Sequence, residues 1–456
     1  MERLLLFSLL GLLQGKVTVH SPASLKDEVS SKYPGAVVPS SLANFGNPPY
    51  GRTMIGRVFV PQTKSERTAC QPLHALNFTS EGEESGTSPI VIVDRGKCSF
   101  AQKVRHAQDI GAKAVLVVDN IDEEDVERAI LVDDGSGGDI AIPSFLLAKI
   151  EGELIKKTAK EEEVVLLLSF ELGNKTESID VSLWLTAGHK QTLDFVAAFS
   201  PEAQAFPQDS IRFHAKHVFW YCTECQTKDD FKKEKKNCLS GGRYCSIDPD
   251  GSGPLDGRAI VHEDLRQSCV AKTTKAKGLA PWFQYVSAVA ANCYASGLKE
   301  DCAFKAMSGL VDAQVVRKCV NESFTGPDAL VDDNTILKSE KKQWLKNSPG
   351  FFPAIQINNA TFRGDFEVDE VLLALCSSFT TPPVNCRRVL PQEVEKVSFV
   401  ALVMTILAVL GGLGGVLILY RLWMRKEMQS DMRQQVTSAV SEYMALTGDE
   451  RRRAFS

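Results

Sequence analysis

Residues 397–420, VSFVALVMTILAVLGGLGGVLILY, form a run of 24 positions without one charged side chain. As a helix rising 1.5 Å per residue, such a run reaches about 36 Å, enough to cross a hydrocarbon core of roughly 30 Å with some tilt. Core helices of soluble domains rarely run so long without a charge. The segment also divides the chain unequally: all twelve cysteines and all four Asn-x-Ser/Thr sequons precede it, and a tail of 36 residues follows it. Any function must therefore work from both sides of a membrane.

The N-terminus reads as a secretory leader over residues 1–20: Arg3, an apolar run over 4–13 too short to span, then small and polar residues to about His20. Behind such a leader the cysteines meet an oxidising lumen, and an even count points to disulfides. The candidates are Cys70, Cys98, Cys222, Cys225, Cys238, Cys245, Cys269, Cys293, Cys302, Cys319, Cys376 and Cys386. The sequons at Asn77, Asn174, Asn321 and Asn359 suit the same compartment as glycosylation sites. Flanking charge does not decide orientation, because Arg387, Arg388 and Lys396 precede the run while Arg421, Arg425 and Lys426 follow it. Leader, sequons and cysteines together predict a single-pass type I protein. A net charge of -5 gives no reason to expect a nucleic-acid partner.

Residues 22–172 read as an α/β domain. Apolar strand-like runs recur at 56–60, 90–93, 114–118 and 164–170. Between the second and third, Phe100, Val104, Ala107 and Ile110 keep helical spacing. Asp94-Arg95-Gly96-Lys97-Cys98-Ser99-Phe100 then occupies a strand-to-helix turn, where free backbone amides can meet a carboxylate or a polar backbone.

With Arg95-Gly96-x-Cys98-x-Phe100, Ala107-Gln108-x-x-Gly111-Ala112 and Ile142-Pro143-Ser144, this stretch resembles the protease-associated domain. Ser24-Leu25-Lys26 and Ala43-Asn44-Phe45-Gly46-x-Pro48-x-Tyr50-Gly51 resemble the form of that domain found in vacuolar sorting receptors. The resemblance implies a cargo-binding role for Asn44, Phe45, Gly46, Arg95, Gly96 and Lys97, with Arg95 donating to peptide carbonyls or a carboxylate. Cys98 is expected in a disulfide, and Cys70 is the other cysteine of this domain. The bland reading of Arg95 is a surface residue beside a glycine that permits a turn.

Residues 176–380 give strand, helix, strand, a cysteine-rich helical insert, a strand led by Pro353, and a closing helix. That order resembles a thioredoxin-like fold, with Pro353 at the cis-proline position. Cys222-Thr223-Glu224-Cys225 is a Cys-x-x-Cys and raises an alternative: a membrane-anchored thiol oxidoreductase, testable by trapping a mixed disulfide on Cys225→Ala. Position argues against it. A redox pair belongs at the first strand-to-helix junction, where the helix N-terminus stabilises a thiolate. Here that junction, Thr186-Ala187-Gly188-His189-Lys190-Gln191, has no cysteine.

The insert carries the resemblance further. Gly241-Gly242-Arg243-Tyr244-Cys245, Glu263-Asp264-Leu265-Arg266-Gln267-x-Cys269, Pro281-Trp282-Phe283-x-Tyr285-Val286 and Phe362-Arg363-Gly364 resemble the central region of vacuolar sorting receptors. Plant members of that family carry epidermal-growth-factor-like repeats before the membrane. Here Cys386 alone lies between Cys376 and the apolar run, so none fits, and residues 381–396 read as a stalk. No cofactor is expected. Calcium is conceivable at the acidic loops 122–125, 133–134 and 248–257, but none matches an EF-hand and no metal ligand is assigned.

Gly411 and Gly415 give a Gly-x-x-x-Gly spacing within the apolar run, which suits a homodimer. In the cytosolic tail, residues 421–456, Tyr443-Met444-Ala445-Leu446 fits Tyr-x-x-Φ, the signal read by clathrin adaptor subunits through Tyr443 and Leu446. A protease is disfavoured because no Gly-x-Ser-x-Gly or His-Glu-x-x-His occurs, and a zinc-binding ubiquitin ligase because the tail lacks Cys and His. The sequence is thus identified as a member of the vacuolar sorting receptor family. The resemblance implies a non-enzymatic receptor that binds soluble cargo through sorting peptides in the Golgi lumen. It would deliver that cargo in transport vesicles to a prevacuolar or endosomal compartment, and release it on acidification.

Overall fold

A computed structural model describes residues 15–74, 87–122, 125–225, 236–347, 349–390 and 399–453. The leader's apolar run and the Asn77 sequon lie outside the described residues. The first domain is built from β1 (Lys16–Ser21), α1 (Ala23–Lys32), β2 (Val37–Val38), β3 (Ser40–Leu42), β4 (Thr53–Phe59), β5 (Ser88–Asp94), α2 (Phe100–Asp109), β6 (Ala114–Val118), β7 (Ser144–Leu147), α3 (Lys149–Thr158) and β8 (Val165–Ser169). One eight-stranded sheet runs β2-β1-β8-β4-β5-β6-β7-β3. Strands β4 to β7 pair in parallel, and the other pairings are antiparallel.

Successive side chains of a strand face opposite ways, so the continuous apolar runs in β5, β6 and β7 feed two cores at once. Ile90, Ile92, Leu116, Val118, Phe145 and Leu147 enter one cluster, while Val91, Val93, Val115, Val117 and Leu146 enter the other. This is why those runs show no polar alternation.

The leader boundary moves. Lys16–Ser21 is a sheet strand whose Val17 and Val19 are buried in the core, so a leader running to His20 would remove part of the domain.

Among the described residues, the second domain contains β9 (Ile179–Leu185), α4 (Lys190–Ala205), β10 (Ile211–His217), the hairpin β11 (Cys238–Leu239) with β12 (Tyr244–Cys245), five helices, β13 (Ala354–Ile357), β14 (Ala360–Thr361) and α10 (Val368–Ser377). The five helices are α5 (Gly257–Thr274), α6 (Ala280–Asn292), α7 (Glu300–Ala306), α8 (Ala313–Ser323) and α9 (Thr335–Asn347). Strand β9 pairs in parallel with β10 and antiparallel with β13, giving the order β10-β9-β13-β14. This is the thioredoxin-like arrangement, and the Phe352–Pro353 bond is cis as expected. All twelve cysteines are bonded: Cys70–Cys98, Cys222–Cys225, Cys238–Cys245, Cys269–Cys319, Cys293–Cys302 and Cys376–Cys386.

The two domains share a seam. Tyr50 is fully buried; its hydroxyl donates to the Arg363 carbonyl at 2.6 Å and accepts from the Arg363 amide at 2.8 Å. The Gly46 amide donates to Asp365 Oδ1 at 3.2 Å, and the Asp365 amide returns a bond to the Gly46 carbonyl at 3.1 Å. A Cβ on Gly364 would lie 2.8 Å from that same carbonyl, so only glycine permits the approach. One hydrophobic cluster runs from the first sheet through Phe170 to Ile355, Phe362 and Leu372 of the second domain.

The expected stalk is shorter than 381–396. A 3-10 turn at Val384–Arg388 is tied to α10 by the Cys376–Cys386 disulfide. Arg388 pairs with Glu202 at 2.9 Å and Asp369 at 2.7 Å, and Leu390 packs on the core. The remainder of that stalk lies outside the described residues.

A separate unit holds α11 (Phe399–Arg453), 55 residues of continuous helix. Within it, residues Val403–Glu442 contain a window apolar enough to cross a membrane, and none of that window is buried in protein. The helix does not stop at Tyr420. It continues through 443–446, so the tail motif is helical here and not extended.

Candidate functional site

Strand β5 ends at Asp94, and the next five residues turn the chain into α2. Ser99 caps that helix by accepting from the Gln102 amide at 3.2 Å. The Arg95 amide donates to the Val118 carbonyl at 2.9 Å, continuing the sheet, while its side chain turns to Asp119 at the end of β6. Nη1 reaches both Asp119 oxygens, at 2.9 and 3.0 Å, and the guanidinium lies 5.8 Å from the Phe100 ring centre. Asp119 is 1% exposed and Arg95 33%. A buried carboxylate thus fixes one corner of the guanidinium and leaves part of its donor fork at the surface.

Gly96 and Lys97 follow with φ of +111° and +69°. Two consecutive left-handed residues form a tight turn, in which glycine is at home and the lysine side chain stands exposed. Beneath the turn lies Lys103, a residue that sequence reasoning missed. It is fully buried, and its ammonium donates to the carbonyls of Gly96 and Thr68, each at 2.6 Å. Burial holds its pKa down to about 8. The signal was legible: Lys103 sits on the same helical face as Val104 and Ala107, where an unpaired lysine has no reason to be.

The same helix pins the strand of chain carrying Cys70. Gln102 Nε2 donates to the Cys70 carbonyl at 3.2 Å, His106 Nδ1 meets the Ala69 carbonyl at 2.8 Å, and the Cys70–Cys98 disulfide closes the loop. An acidic loop crosses above. Arg105 grips Asp139 at 2.7–3.0 Å, and Gln108 accepts from the Ala141 amide at 2.7 Å. Hydrogen bonds from Ser136 and Ser99 hold the Asp134 pKa down to about 2, so that loop stays anionic beside the Arg95 turn.

Asn44, Phe45 and Gly46 do not join Arg95. Phe45 is 1% exposed in the second core cluster of the first domain. Gly46 uses both backbone groups on Asp365, and a Cβ there would stand 2.4 Å from the Ile142 carbonyl. Asn44 donates its amide to Leu131 at 3.1 Å, and its Oδ1 is buried without a protein partner among the described residues. The cargo-contact role expected of Phe45 and Gly46 is corrected accordingly: they are seam and core residues, because burying the ring and closing the seam leave no face for a peptide.

In the second domain the junction before α4 holds His189, whose Nδ1 meets Thr192 Oγ1 at 2.6 Å, and Ala187, whose amide donates to buried Asp264 at 2.7 Å. Cys222 and Cys225 are elsewhere, packed on the Cys238–Cys245 hairpin, with the Cys222 amide donating to Gly242 at 2.8 Å. The acidic loop at 248–257 uses its carboxylates on backbone: Asp248 accepts from Gly251 at 2.8 Å and Asp256 caps α5 through Ala259 at 2.7 Å. Among the described residues, no three His, Cys, Asp or Glu side chains cluster to hold a metal.

Residues 182–376 match the family described as "Vacuolar sorting receptor thioredoxin-like domain", and residues 56–155 match the PA domain. The chain belongs to the vacuolar sorting receptor family. It is 31% identical over 403 residues to "Vacuolar-sorting receptor 3" of Arabidopsis thaliana, covering 82% of this chain and 61% of that one. It is 32% identical over 405 residues to "Vacuolar-sorting receptor 1" of Pisum sativum, again covering 82% and 61%. The chain therefore spans about six-tenths of the length of these relatives. Over a shorter stretch the chain also resembles "Receptor homology region, transmembrane domain- and RING domain-containing protein 3" of Arabidopsis thaliana, at 40% identity over 101 residues, 22% of this chain and 23% of that one. Among the described residues, α11 holds the one stretch long and apolar enough to cross a membrane, and this likeness supports a single-pass membrane protein.

Proposed function

We propose that this protein is a non-enzymatic type I sorting receptor, binding soluble cargo on its lumenal side through the turn at Arg95, Gly96 and Lys97. The observation that carries the reading is the Arg95 guanidinium, oriented by buried Asp119 yet one-third exposed beside an exposed lysine. Such a fork, fixed before binding, meets a peptide carboxylate or carbonyl at little entropic cost. Its relatives' names, vacuolar-sorting receptors, support the cargo role. On the cytosolic side Tyr443 and Leu446 would recruit a clathrin adaptor after the last turns of α11 open. Gly411 and Gly415 would let two copies pair in the membrane.

Arg95→Ala should weaken binding of a sorting peptide by about tenfold, the worth of one charge-assisted contact, and should also lower the thermal midpoint because buried Asp119 loses its cation, so the titration is run well below the variant's own midpoint. Unchanged affinity in a calorimetric titration would remove the turn from the cargo site. Tyr443→Ala should shift the protein from Golgi and endosomal structures toward the cell surface, and an unaltered distribution by imaging would sink the adaptor role.

A further inference from the structure

The helical insert contains a cavity of about 700 Å³ between α5, α7 and α8. That volume lies within the roughly 300–1,000 Å³ common to ligand sites. Its lining is basic. Arg258 and His262 project from α5, Lys299 precedes α7, and Arg317 comes from α8. Arg266 forms the floor, matched by Glu263 at 2.7 Å and donating to the Leu298 carbonyl at 2.8 Å. The rim arginines are only loosely matched: Arg258 lies 3.9 Å from Asp256, which already caps α5, and Arg317 lies 3.5 Å from Glu300.

Two observations show that the cavity is prepared for an anion. The Arg317 guanidinium sits 4.3 Å from the Phe304 ring centre, a stacking that fixes its plane while leaving its edge available. His262, between Arg258 and Arg266, has its pKa pushed down to about 4 by burial and by the charge of those arginines. Burial is the larger cause and the two neighbouring arginines add to it, so the ring stands neutral against the basic wall. Val320, Phe324 and Pro327 supply an apolar side to the same space.

We propose that this cavity is a second peptide site, which holds a carboxylate through Arg258 and Arg317 while an adjoining apolar side chain rests against Phe324 and Val320. It is separate from the Arg95 turn and stands whether or not that turn holds cargo. The sequon asparagine Asn321 lies on its rim, so a glycan there would narrow the mouth.

The test uses the full chain in detergent micelles, with Asn321→Gln to keep the rim bare, and a fluorescein-labelled pentapeptide Asp-Leu-Asp-Phe-Leu. Fluorescence anisotropy should show saturable binding that falls at least tenfold in the double variant Arg258→Gln/Arg317→Gln. It should fall about threefold in Lys299→Glu, an exposed position that keeps the test valid if the double variant misfolds, and a saturable phase should remain in Arg95→Ala. The amidated control Asn-Leu-Asn-Phe-Leu should bind at least tenfold more weakly. Absence of binding at millimolar peptide, equal binding of the control, or loss confined to Arg95→Ala would each overturn the proposal. The last result would assign the peptide to the first domain and leave the receptor reading standing.

Discussion

Tyr50→Phe tests whether the first two domains unfold as one body. The substitution keeps the ring, which packs 5.5 Å from Phe362, and removes only the hydroxyl. That hydroxyl is both donor to and acceptor from the backbone of Arg363, in a site without solvent. Removing one member of a buried pair costs about 1–3 kcal/mol per group left behind. Two groups are affected, and their carbonyl and amide can relax slightly, so about 2–4 kcal/mol is expected. With an unfolding entropy of about 2.1 cal/mol/K per residue, a unit of some 375 residues should lose about 3–5 °C of thermal midpoint. Scanning calorimetry would also resolve the shape of the transition: loosening the seam should split one endotherm toward two. A midpoint within 1 °C of the parent, with an undivided endotherm, would refute the claim that this contact locks the domains together.

Two further perturbations probe groups buried near the sites. Lys103→Ala should destabilise the first domain by about 2–3 kcal/mol, since the Gly96 and Thr68 carbonyls lose their donor, and a chemical denaturation midpoint would show it. Asp264 is fully buried, and burial raises its pKa to about 7 against the opposing pull of His217 and the Ala187 amide. The folded state therefore keeps a proton that the unfolded chain releases near its ordinary carboxylate pKa. Stability should rise as pH falls from about 7 toward 4, by at most about 1.4 kcal/mol per pH unit from this group. Asp264→Asn should flatten that slope in thermal melts taken at pH 5 and 7.5, and an unchanged slope would show that another group carries it.

Much of the architecture was legible because strands buried on both faces announce themselves. The runs in β5 and β6, and the helix spacing of Phe100, Val104 and Ala107, needed no tertiary information. The first strand was not legible, since Lys16–Ser21 lies directly behind an apolar leader-like run and is read as its polar end. Arg95 was placed correctly at a turn, but its partner Asp119 lies a helix and a strand later, and only the parallel pairing of β5 with β6 brings them together. The fate of Gly46 depends on Asp365, more than three hundred residues away, which no local pattern encodes. The tail's motif is read as an adaptor signal, with no secondary structure assigned to it. Yet residues 421–447 contain neither glycine nor proline, and helix propagation from the apolar segment meets no breaker there.

The uninterrupted helix α11 sets a fixed height for whatever reads its far end. From Tyr420 to Tyr443, 23 steps of helix place the tyrosine about 35 Å beyond the end of the apolar segment. Along that rod the backbone amides of residues 443–446 are committed to carbonyls one turn earlier. A protein that recognises these residues as an added strand must first melt the rod's tip. The tip is then a conditional address, hidden while coiled, and legible only to a partner that binds tightly enough to hold it open.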